Sequence, residues 1–315
     1  MKNKVLLKFM DILPQRIKLA LEKVPENTLN NISEIRLRAE NITTVTILGE
    51  NLYLSDTGIQ KVPIRCIQST FAEIDAFIYR LCEGSVYSYE TSIREGFITQ
   101  FGARVGICGN VLVKGKEICG FSRITGVNIR IPGHFPNVCD DLISHIGNNG
   151  FPENAGVLVV SPPGVGKTTV LRELAIRLSR GIFLNTSNDT KVFRVTVVDE
   201  RYEIYIPELF RGCAVDVLSG IKKSAGLECA ARVLSPEVII CDEIGSEADA
   251  DAISAAHIGG VVFIASMHAS SVNGVLSKKS VIKLCNDGVF SHIYLLERNK
   301  NNISSSIHDI RKYLK

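Results

Sequence analysis

The chain has 315 residues, of which 45% are hydrophobic and 22% are charged, a composition that excludes a long disordered protein. Its 36 basic and 33 acidic side chains leave a net charge of +3, which is too small to indicate nucleic-acid binding by itself. The nine cysteines form no C-x-x-C pair, which argues against a disulfide framework or zinc site and favours a reducing compartment, the cytoplasm.

The first 137 residues have the pattern of a small α+β domain. Apolar side chains recur at helical spacing over residues 1 to about 30, and Pro14 and Pro25 divide this stretch. Alternating segments with turn signals between them follow. We predict a helix over 68–81 and strands over 33–38, 43–48, 97–101, 103–108, 111–114 and 118–121. We expect this domain to make oligomer or partner contacts.

Residues 138–315 alternate between strand and helix patterns, as in a parallel sheet covered on both faces. We predict strands over 156–161, 194–199, 237–241, 261–265 and 290–296, and helices over 140–146, 167–180, 247–257 and 275–285. This order predicts an α/β fold with a RecA-like or AAA-type P-loop NTPase core. No apolar run reaches the roughly 20 residues of a membrane-spanning helix and no signal peptide is evident, so we expect no transmembrane segment.

The most informative motif lies between the first strand and helix of this core. Backbone N–H groups from Gly164 to Thr168 are expected to form an anion nest, with Lys167 bridging the β- and γ-phosphates of ATP. The Thr168 hydroxyl is the predicted Mg²⁺ ligand, although Ser161 replaces the first glycine of G-x-x-x-x-G-K-[ST]. The predicted nucleotide-binding residues are Pro163, Gly164, Val165, Gly166, Lys167, Thr168 and Thr169.

A second element delivers two acids to the end of an apolar strand at 238–243. Open α/β sheets bind their ligands at the carboxyl ends of the strands. We expect Asp242 to hold Mg²⁺ through water and Glu243 to orient or deprotonate the attacking water.

A third strand also ends in acids, at Asp199-Glu200-Arg201. Glu200 competes with Glu243 as the catalytic base, and Arg201 is a candidate contact for phosphate or a neighbouring subunit. The alternative is a local cluster of surface ion pairs. His268 follows the next strand, where it or Ser266 either senses the γ-phosphate or is a structural side chain.

The remaining histidines and the first-domain arginines carry weaker signals. His134, His145, His257, His292 and His308 show no metal-ligand spacing, so no structural metal is expected. An arginine opposite the γ-phosphate would assist phosphoryl transfer. We expect it to come from the first domain across a subunit interface, with Arg104 and Arg130 as the leading candidates. The first-domain arginines are Arg36, Arg38, Arg94, Arg104, Arg123 and Arg130.

Several segments together resemble the stage III sporulation protein AA family over nearly the whole chain. The resemblance implies a hexameric cytoplasmic ATPase of the mother cell, related to type II and type IV secretion motors. It also implies membrane-embedded channel proteins of sporulation as partners. It carries over Asp199 and Glu200 as an acidic box at the nucleotide site and His268 as the histidine after the next strand. The segments are 34–38, 94–99, 104–106, 128–131, 198–201, 216–218, 235–238 and 242–245.

Some positions depart from the family pattern. Tyr202 stands where a serine is expected, and Ala214 and Ser246 stand where arginines are expected. The phosphate loop and the magnesium acid are intact. We therefore expect ATP and Mg²⁺ binding with slow turnover.

Three functions remain open from the sequence. The leading one is an oligomeric motor ATPase that is cytoplasmic and peripheral to the membrane through its partners. A nucleic-acid ATPase would need a basic groove with interleaved aromatic side chains, and the chain has no tryptophan. A nucleotide-dependent scaffold that does not hydrolyse ATP is the third.

Overall fold

The computed structural model describes residues 4–115, 117–133, 135, 137–299 and 302–313. The chain divides into two compact units. The first contains Met1–His134 and Ile206–Glu208, and the second contains Phe135–Tyr205 and Leu209–Lys315. The segment 206–208 belongs to the first unit although it lies far along the chain, and no pattern in the sequence indicates this.

The described part of the first unit contains short helices and a seven-stranded antiparallel sheet in the order β4-β3-β2-β1-β7-β6-β5. Its elements are α1 (Lys4–Ile12), α2 (Gln15–Glu22), α3 (Glu26–Leu29), β1 (Ile32–Arg38), β2 (Asn41–Ile47), β3 (Glu50–Ser55), β4 (Gly58–Gln60), α4 (Phe71–Leu81), α5 (Glu90–Arg94), β5 (Phe97–Gln100), β6 (Ala103–Lys114) and β7 (Glu117–Arg130).

Local sequence explains where these helices begin. Pro14 and Pro25 immediately precede α2 and α3, where the fixed φ of proline suits a helix start. The predicted helix over 68–81 begins at Phe71, because Thr70 caps it through a reciprocal capping box with Glu73.

The hairpin of β6 and β7 is longer than the sequence predicts. The predicted strands 103–108 and 111–114 imply a turn at Gly109-Asn110, but β6 continues through these residues with register shifts against β7. A Cβ atom at Gly109 would lie 2.2 Å from the carbonyl oxygen of Arg123. Glycine here permits a bulge in which the two strands approach closely, so it does not end the strand.

The second unit alternates strands and helices. Its elements are α6 (Asp140–Asn149), β8 (Gly156–Ser161), α7 (Lys167–Arg180), β9 (Ile182–Leu184), β10 (Asp189–Lys191), β11 (Val195–Asp199), β12 (Val215–Ser219), α8 (Lys223–Cys229), β13 (Val238–Glu243), α9 (Glu247–Ile258), β14 (Val262–His268), α10 (Val272–Leu276), α11 (Lys279–Asn286), β15 (Phe290–Asn299) and β16 (Asn302–Asp309).

A seven-stranded sheet in the order β12-β11-β13-β14-β8-β15-β16 forms the centre of this unit. Its strands are parallel except for β16, which runs antiparallel to β15. Side chains of β8 alternate between two apolar cores, with Val159 in one and Leu158 in the other. Every residue of β8 is buried, which explains its continuous apolar run.

The structure contains elements that were not predicted, among them α8, β9, β10, β12 and β16, and it corrects one predicted helix. The helix expected over 275–285 is two helices, α10 and α11, because the Ser277 hydroxyl donates to the carbonyl of Gly274 and closes the first one. Strand β12 was not predicted. It lies at the sheet edge and is only partly buried, so it lacks the apolar run that identifies the central strands.

Among the described residues, no helix is both long enough and apolar enough to cross a membrane.

Candidate nucleotide site

The candidate site lies at the carboxyl edge of the parallel sheet, in the loop from β8 to α7. Ser161 ends β8 and pairs in register with His268 at the end of β14. Strand β13 is the other neighbour of β14, and Glu243 at its end pairs with Ser266 of β14. The phosphate-loop residues, the acid pair and the histidine therefore meet at neighbouring strand ends, as parallel topology requires.

Two glycines shape the loop. Gly164 has φ 73° and Gly166 has φ 119°, a region that residues with a side chain rarely adopt. A Cβ atom at either position would meet no atom within 4 Å, so open space faces the loop. Val165 between them is buried in the core and anchors the loop, whereas Pro163 is exposed. This arrangement fits an anion at the N-terminus of α7.

Ser161 is compatible with this loop. It is the buried last residue of β8 and does not have the positive φ of the two loop glycines. Its hydroxyl donates to the carbonyl of Pro162 at 2.7 Å. The glycine of the motif is therefore not needed at this position.

Lys167 is the first residue of α7 and is only 8% exposed. Its ammonium donates to the carbonyl of Ser161 at 3.1 Å and lies 2.7 Å from His268 Nδ1. Burial lowers the pKa of Lys167 to about 8, although the charge of Glu243 opposes that shift. Thr168 and Thr169 follow in the first turn and are partly buried.

His268 links the phosphate loop to the acid pair. Because Nδ1 faces the Lys167 ammonium, it is the acceptor nitrogen, and the ring proton belongs on Nε2. His268 Nε2 lies 3.5 Å from Glu243 Oε2. The predicted lysine, histidine and acid are thus in one chain of contacts.

Asp242 has the properties of a Mg²⁺ ligand. It is 7% exposed, and its buried Oδ1 atom lies 2.8 Å from the Lys223 ammonium, the ion-pair partner of this carboxylate. A carboxylate and a threonine hydroxyl are hard oxygen ligands of the kind that Mg²⁺ prefers. Asp242 and Thr168 therefore carry the kinds of oxygen ligand that a Mg²⁺ ion would require.

The two acids of the acidic box, Asp199 and Glu200, have different surroundings. The buried carboxylate of Asp199 accepts from the backbone N–H groups of Glu203, Ile204 and Tyr205 at 2.8 to 3.0 Å. Burial raises the pKa of Asp199, while these hydrogen bonds oppose the shift. Both oxygens thus hold the turn after β11, so the geometry does not favour the nucleotide contact predicted for Asp199. Glu200 is partly exposed on that turn.

Arg172 of α7 secures the same turn. Its guanidinium is buried and donates to the carbonyls of Ile204 at 2.9 Å and Glu203 at 2.6 Å. Asp199 and Arg172 therefore bind opposite backbone groups of one segment and connect the helix of the phosphate loop to the acidic box. The sequence indicated nothing of this, because Arg172 lies within an ordinary amphipathic helix.

Two more basic residues of the site were not predicted. Lys223 of α8 is buried, and its ammonium lies 2.8 Å from Asp242 Oδ1. Burial acts to lower the pKa of Lys223, but Asp242 outweighs it and raises the pKa above the usual range. Arg298 of β15 donates to the carbonyl of Gly164 at 3.1 Å. A lysine in the segment 222–223 resembles any surface lysine, so only the fold identifies the buried one.

Most of the first-unit arginines are engaged within that unit. Arg36 pairs with Glu34, Arg94 pairs with Glu90, and Arg38 donates to the Thr44 hydroxyl. Arg104 stacks on Phe97 and Arg123 on Phe71, with guanidinium carbons 4.1 and 3.7 Å from the ring centroids. Arg130 is exposed and is the cross-strand partner of Arg104.

The other histidines have local contacts. His145 and His292 lie edge to face at 4.6 Å, His257 Nδ1 lies 3.3 Å from the Val261 carbonyl, and His308 contacts Tyr313. His134 lies outside the described residues. Over the part of the chain that is described, no cluster of three His, Cys, Asp or Glu side chains could hold a metal ion.

Comparisons with known proteins agree with the resemblance and the fold. The family profile "Sporulation stage III, protein AA" matches residues 4–312. Stage III sporulation protein AA of Bacillus subtilis (strain 168) is 31% identical over 296 residues, which cover 92% of this chain and 90% of that protein.

Solved structures support the architecture. The ATPase DotB of Legionella pneumophila matches with a TM-score of 0.55 at 15% identity, covering 88% of this chain and 76% of that one. The pilus retraction motor PilT, solved with bound ADP, matches with a TM-score of 0.56 at 13% identity over 90% and 81% of the two chains. These matches confirm the predicted RecA-like core with an N-terminal domain.

Proposed function

The chain belongs to the stage III sporulation protein AA family, and on that basis we propose that it binds ATP with Mg²⁺ and hydrolyses it as an oligomeric motor of the secretion-ATPase type. The observation that carries the proposal is the contact chain from Lys167 through His268 to Glu243 beside an open glycine loop. The family is named for sporulation, and the structural relatives are named as ATPases or a pilus motor.

Each residue has a defined task in this mechanism. The N–H groups from Gly164 to Thr168 bind the phosphates, and Lys167 turns from the Ser161 carbonyl towards the β- and γ-oxygens. Asp242 and Thr168 would hold Mg²⁺, which when bound neutralises the charge of those phosphates.

The geometry favours Glu243 over Glu200 as the base that orients the attacking water. Glu243 Oε2 lies 3.5 Å from His268 Nε2, on the side of the phosphate loop. Glu200 Oε2 instead lies 3.9 Å from the Lys223 ammonium and is on the turn held by Asp199. His268 is then placed to respond to the γ-phosphate, because it contacts both Lys167 and Glu243.

Catalysis in this proposal also requires a neighbouring subunit. Ser246 caps α9 in a capping box with Asp249, so this position has a structural task in place of the expected arginine. The positive charge that an arginine would supply at the γ-phosphate would come from the first unit of a neighbouring subunit. Arg130 is the leading candidate because Arg104 already stacks on Phe97.

We propose the cellular setting by analogy with the family. The protein would form a hexamer in the cytoplasm of the mother cell, with the predicted domain of residues 1–137 contacting the next subunit or the partner. Its partners would be membrane-embedded proteins of the channel between mother cell and forespore, and we expect no nucleic acid among them.

One assay separates this proposal from its alternatives. Hydrolysis of ATP by the purified full chain is measured as a function of protein concentration, with and without single-stranded DNA. A motor gives Mg²⁺-dependent hydrolysis that rises per subunit as rings assemble and does not respond to DNA. Binding without hydrolysis at any concentration would instead support the scaffold, which the absent arginines at 214 and 246 favour. Stimulation by DNA would support a nucleic-acid ATPase.

A further inference from the structure

Lys223 is a buried lysine in contact with the acid pair. It is 6% exposed, and buried ammonium groups require partners. Its Nζ atom lies 2.8 Å from Asp242 Oδ1 and 3.9 Å from Glu200 Oε2, and it donates to the backbone carbonyl of Glu243. One cation therefore joins the two acid-tipped strands, β11 and β13.

The backbone fixes the position of this lysine. Helix α8 packs closely on β11, because a Cβ atom at Gly226 would lie 2.7 Å from Val198 Cγ1 and 2.9 Å from Ile221 Cγ2. Gly226 and Lys223 are three residues apart and lie on the same helix face. The close approach that Gly226 permits thus directs the Lys223 side chain to the carboxyl ends of the strands.

This position places two cations at one carboxylate. Asp242 is the acid that fits Mg²⁺, and the Lys223 ammonium is already at ion-pair distance from it. An ammonium at this distance repels a divalent ion and weakens the charge that attracts it. Glu200, 3.9 Å from the ammonium, offers a second partner on the side away from the phosphate loop.

We propose that Lys223 is a positioning residue whose ammonium competes with Mg²⁺ for the Asp242 carboxylate, and that it sets the Mg²⁺ concentration at which ATP is bound. Metal binding moves the ammonium from Asp242 towards Glu200. Nucleotide and metal then bind together only when the Mg²⁺ concentration is high enough to displace the ammonium from Asp242. This inference rests on the proposed ATP site.

The test measures metal dependence and not activity. A fluorescent ATP analogue is titrated onto the full chain at increasing Mg²⁺, and the half-saturating metal concentration is read. Lys223→Gln should lower that concentration about fivefold or more, the range usual for coupling between two ligands. Lys223→Arg, which keeps the charge, should stay near wild type. Lys222→Gln is the matched control, because it removes the same charge from an exposed neighbouring lysine.

A second readout separates competition from a general change in affinity. With EDTA, Lys223→Gln should bind the analogue no more tightly than wild type, because no metal is present to profit from the freed carboxylate. An unchanged metal dependence in Lys223→Gln, or an equal shift in Lys223→Arg, would overturn the inference. If Lys223→Gln gained as much affinity for the analogue in EDTA as in Mg²⁺, the inference would also be overturned. Absence of binding by the wild-type chain would refute the ATP site itself.

Discussion

The ammonium of Lys167 lies 2.7 Å from Nδ1 of His268, although the two residues are 101 positions apart in the chain. Strands β8 and β14 are parallel neighbours, so the first residue of a helix and the last residue of a strand meet. This contact joins the phosphate loop to Glu243 and makes His268 part of the site.

His268→Ala should therefore impair hydrolysis more than binding. The substitution removes the acceptor of Lys167 and the neighbour of Glu243 but leaves the loop N–H groups in place. We expect the single-turnover rate to fall about tenfold or more, within the range for groups that position a proton transfer. His257→Ala, on α9, is the control and should keep the wild-type rate. Equal rates in both variants would refute a role for His268 in turnover.

Glu243→Gln should leave ATP affinity unchanged and slow single-turnover hydrolysis by about 10²-fold or more, because an amide is a poor base. Glu200→Gln is the matched comparison, since it makes the same change on the neighbouring acid-tipped strand. A loss of rate only in Glu200→Gln would show that Glu200 of the acidic box is the catalytic base.

Nucleotide affinity should depend on pH through Lys167. Burial lowers its pKa to about 8, so the fraction of charged ammonium falls as the pH rises through that value. Bound phosphate favours the charged form, and binding above pH 8 should take up a proton. Calorimetry in buffers of different ionisation enthalpy measures this uptake. Affinity that is constant from pH 7 to about 9.5, with no proton uptake, would contradict the prediction.

Removal of either partner that holds the turn after β11 should destabilise the second unit. Asp199→Ala leaves three backbone N–H groups without their acceptor, and Arg172→Met removes the donor to two carbonyls. We expect each to lower the free energy of unfolding by about 3 kcal/mol. Chemical denaturation measures it, with the exposed Asp216→Ala as control. A loss no larger than that of the control would show that the turn does not depend on them.

An arginine in trans should be detectable by mixing subunits. Arg130→Ala and Lys167→Ala subunits are each expected to be inactive in hydrolysis, whereas their mixture should recover part of the activity, because some interfaces combine an intact loop with an intact arginine. The same mixture with Arg104→Ala tests the other candidate. A protein that stays monomeric with ATP and Mg²⁺, with a rate independent of concentration, would exclude this mechanism.

The sequence predicts the parts of this molecule that depend on local pattern. The continuous apolar runs of β8 and β13 and the glycines before Lys167 indicate the core strands and the loop. It does not predict contacts made by ordinary residue types from distant segments. Arg172, Lys223 and Arg298 are unremarkable in their local patterns, and burial or proximity to the loop appears only once the strands are ordered in the sheet.

Asp199 illustrates the same limit from the opposite side. Its position after an apolar strand is that of a ligand-binding acid, and Asp242 occupies the equivalent position on β13. The next residues decide which of the two carboxylates is held by the backbone, and Asp242 is held only by the side chain of Lys223. The chain after Asp199 turns back and donates three N–H groups to it, and the chain after Asp242 does not.

Binding of ATP by the loop from Ser161 to Thr169 can be measured through the affinity of Lys167→Ala for a fluorescent ATP analogue. We expect saturable Mg²⁺-dependent binding by the wild-type chain and loss of that binding in Lys167→Ala. Lys191→Ala, which changes an exposed lysine on β10, should bind as wild type does. Undiminished affinity in Lys167→Ala, with the same thermal unfolding temperature as wild type, would show that this loop does not bind ATP.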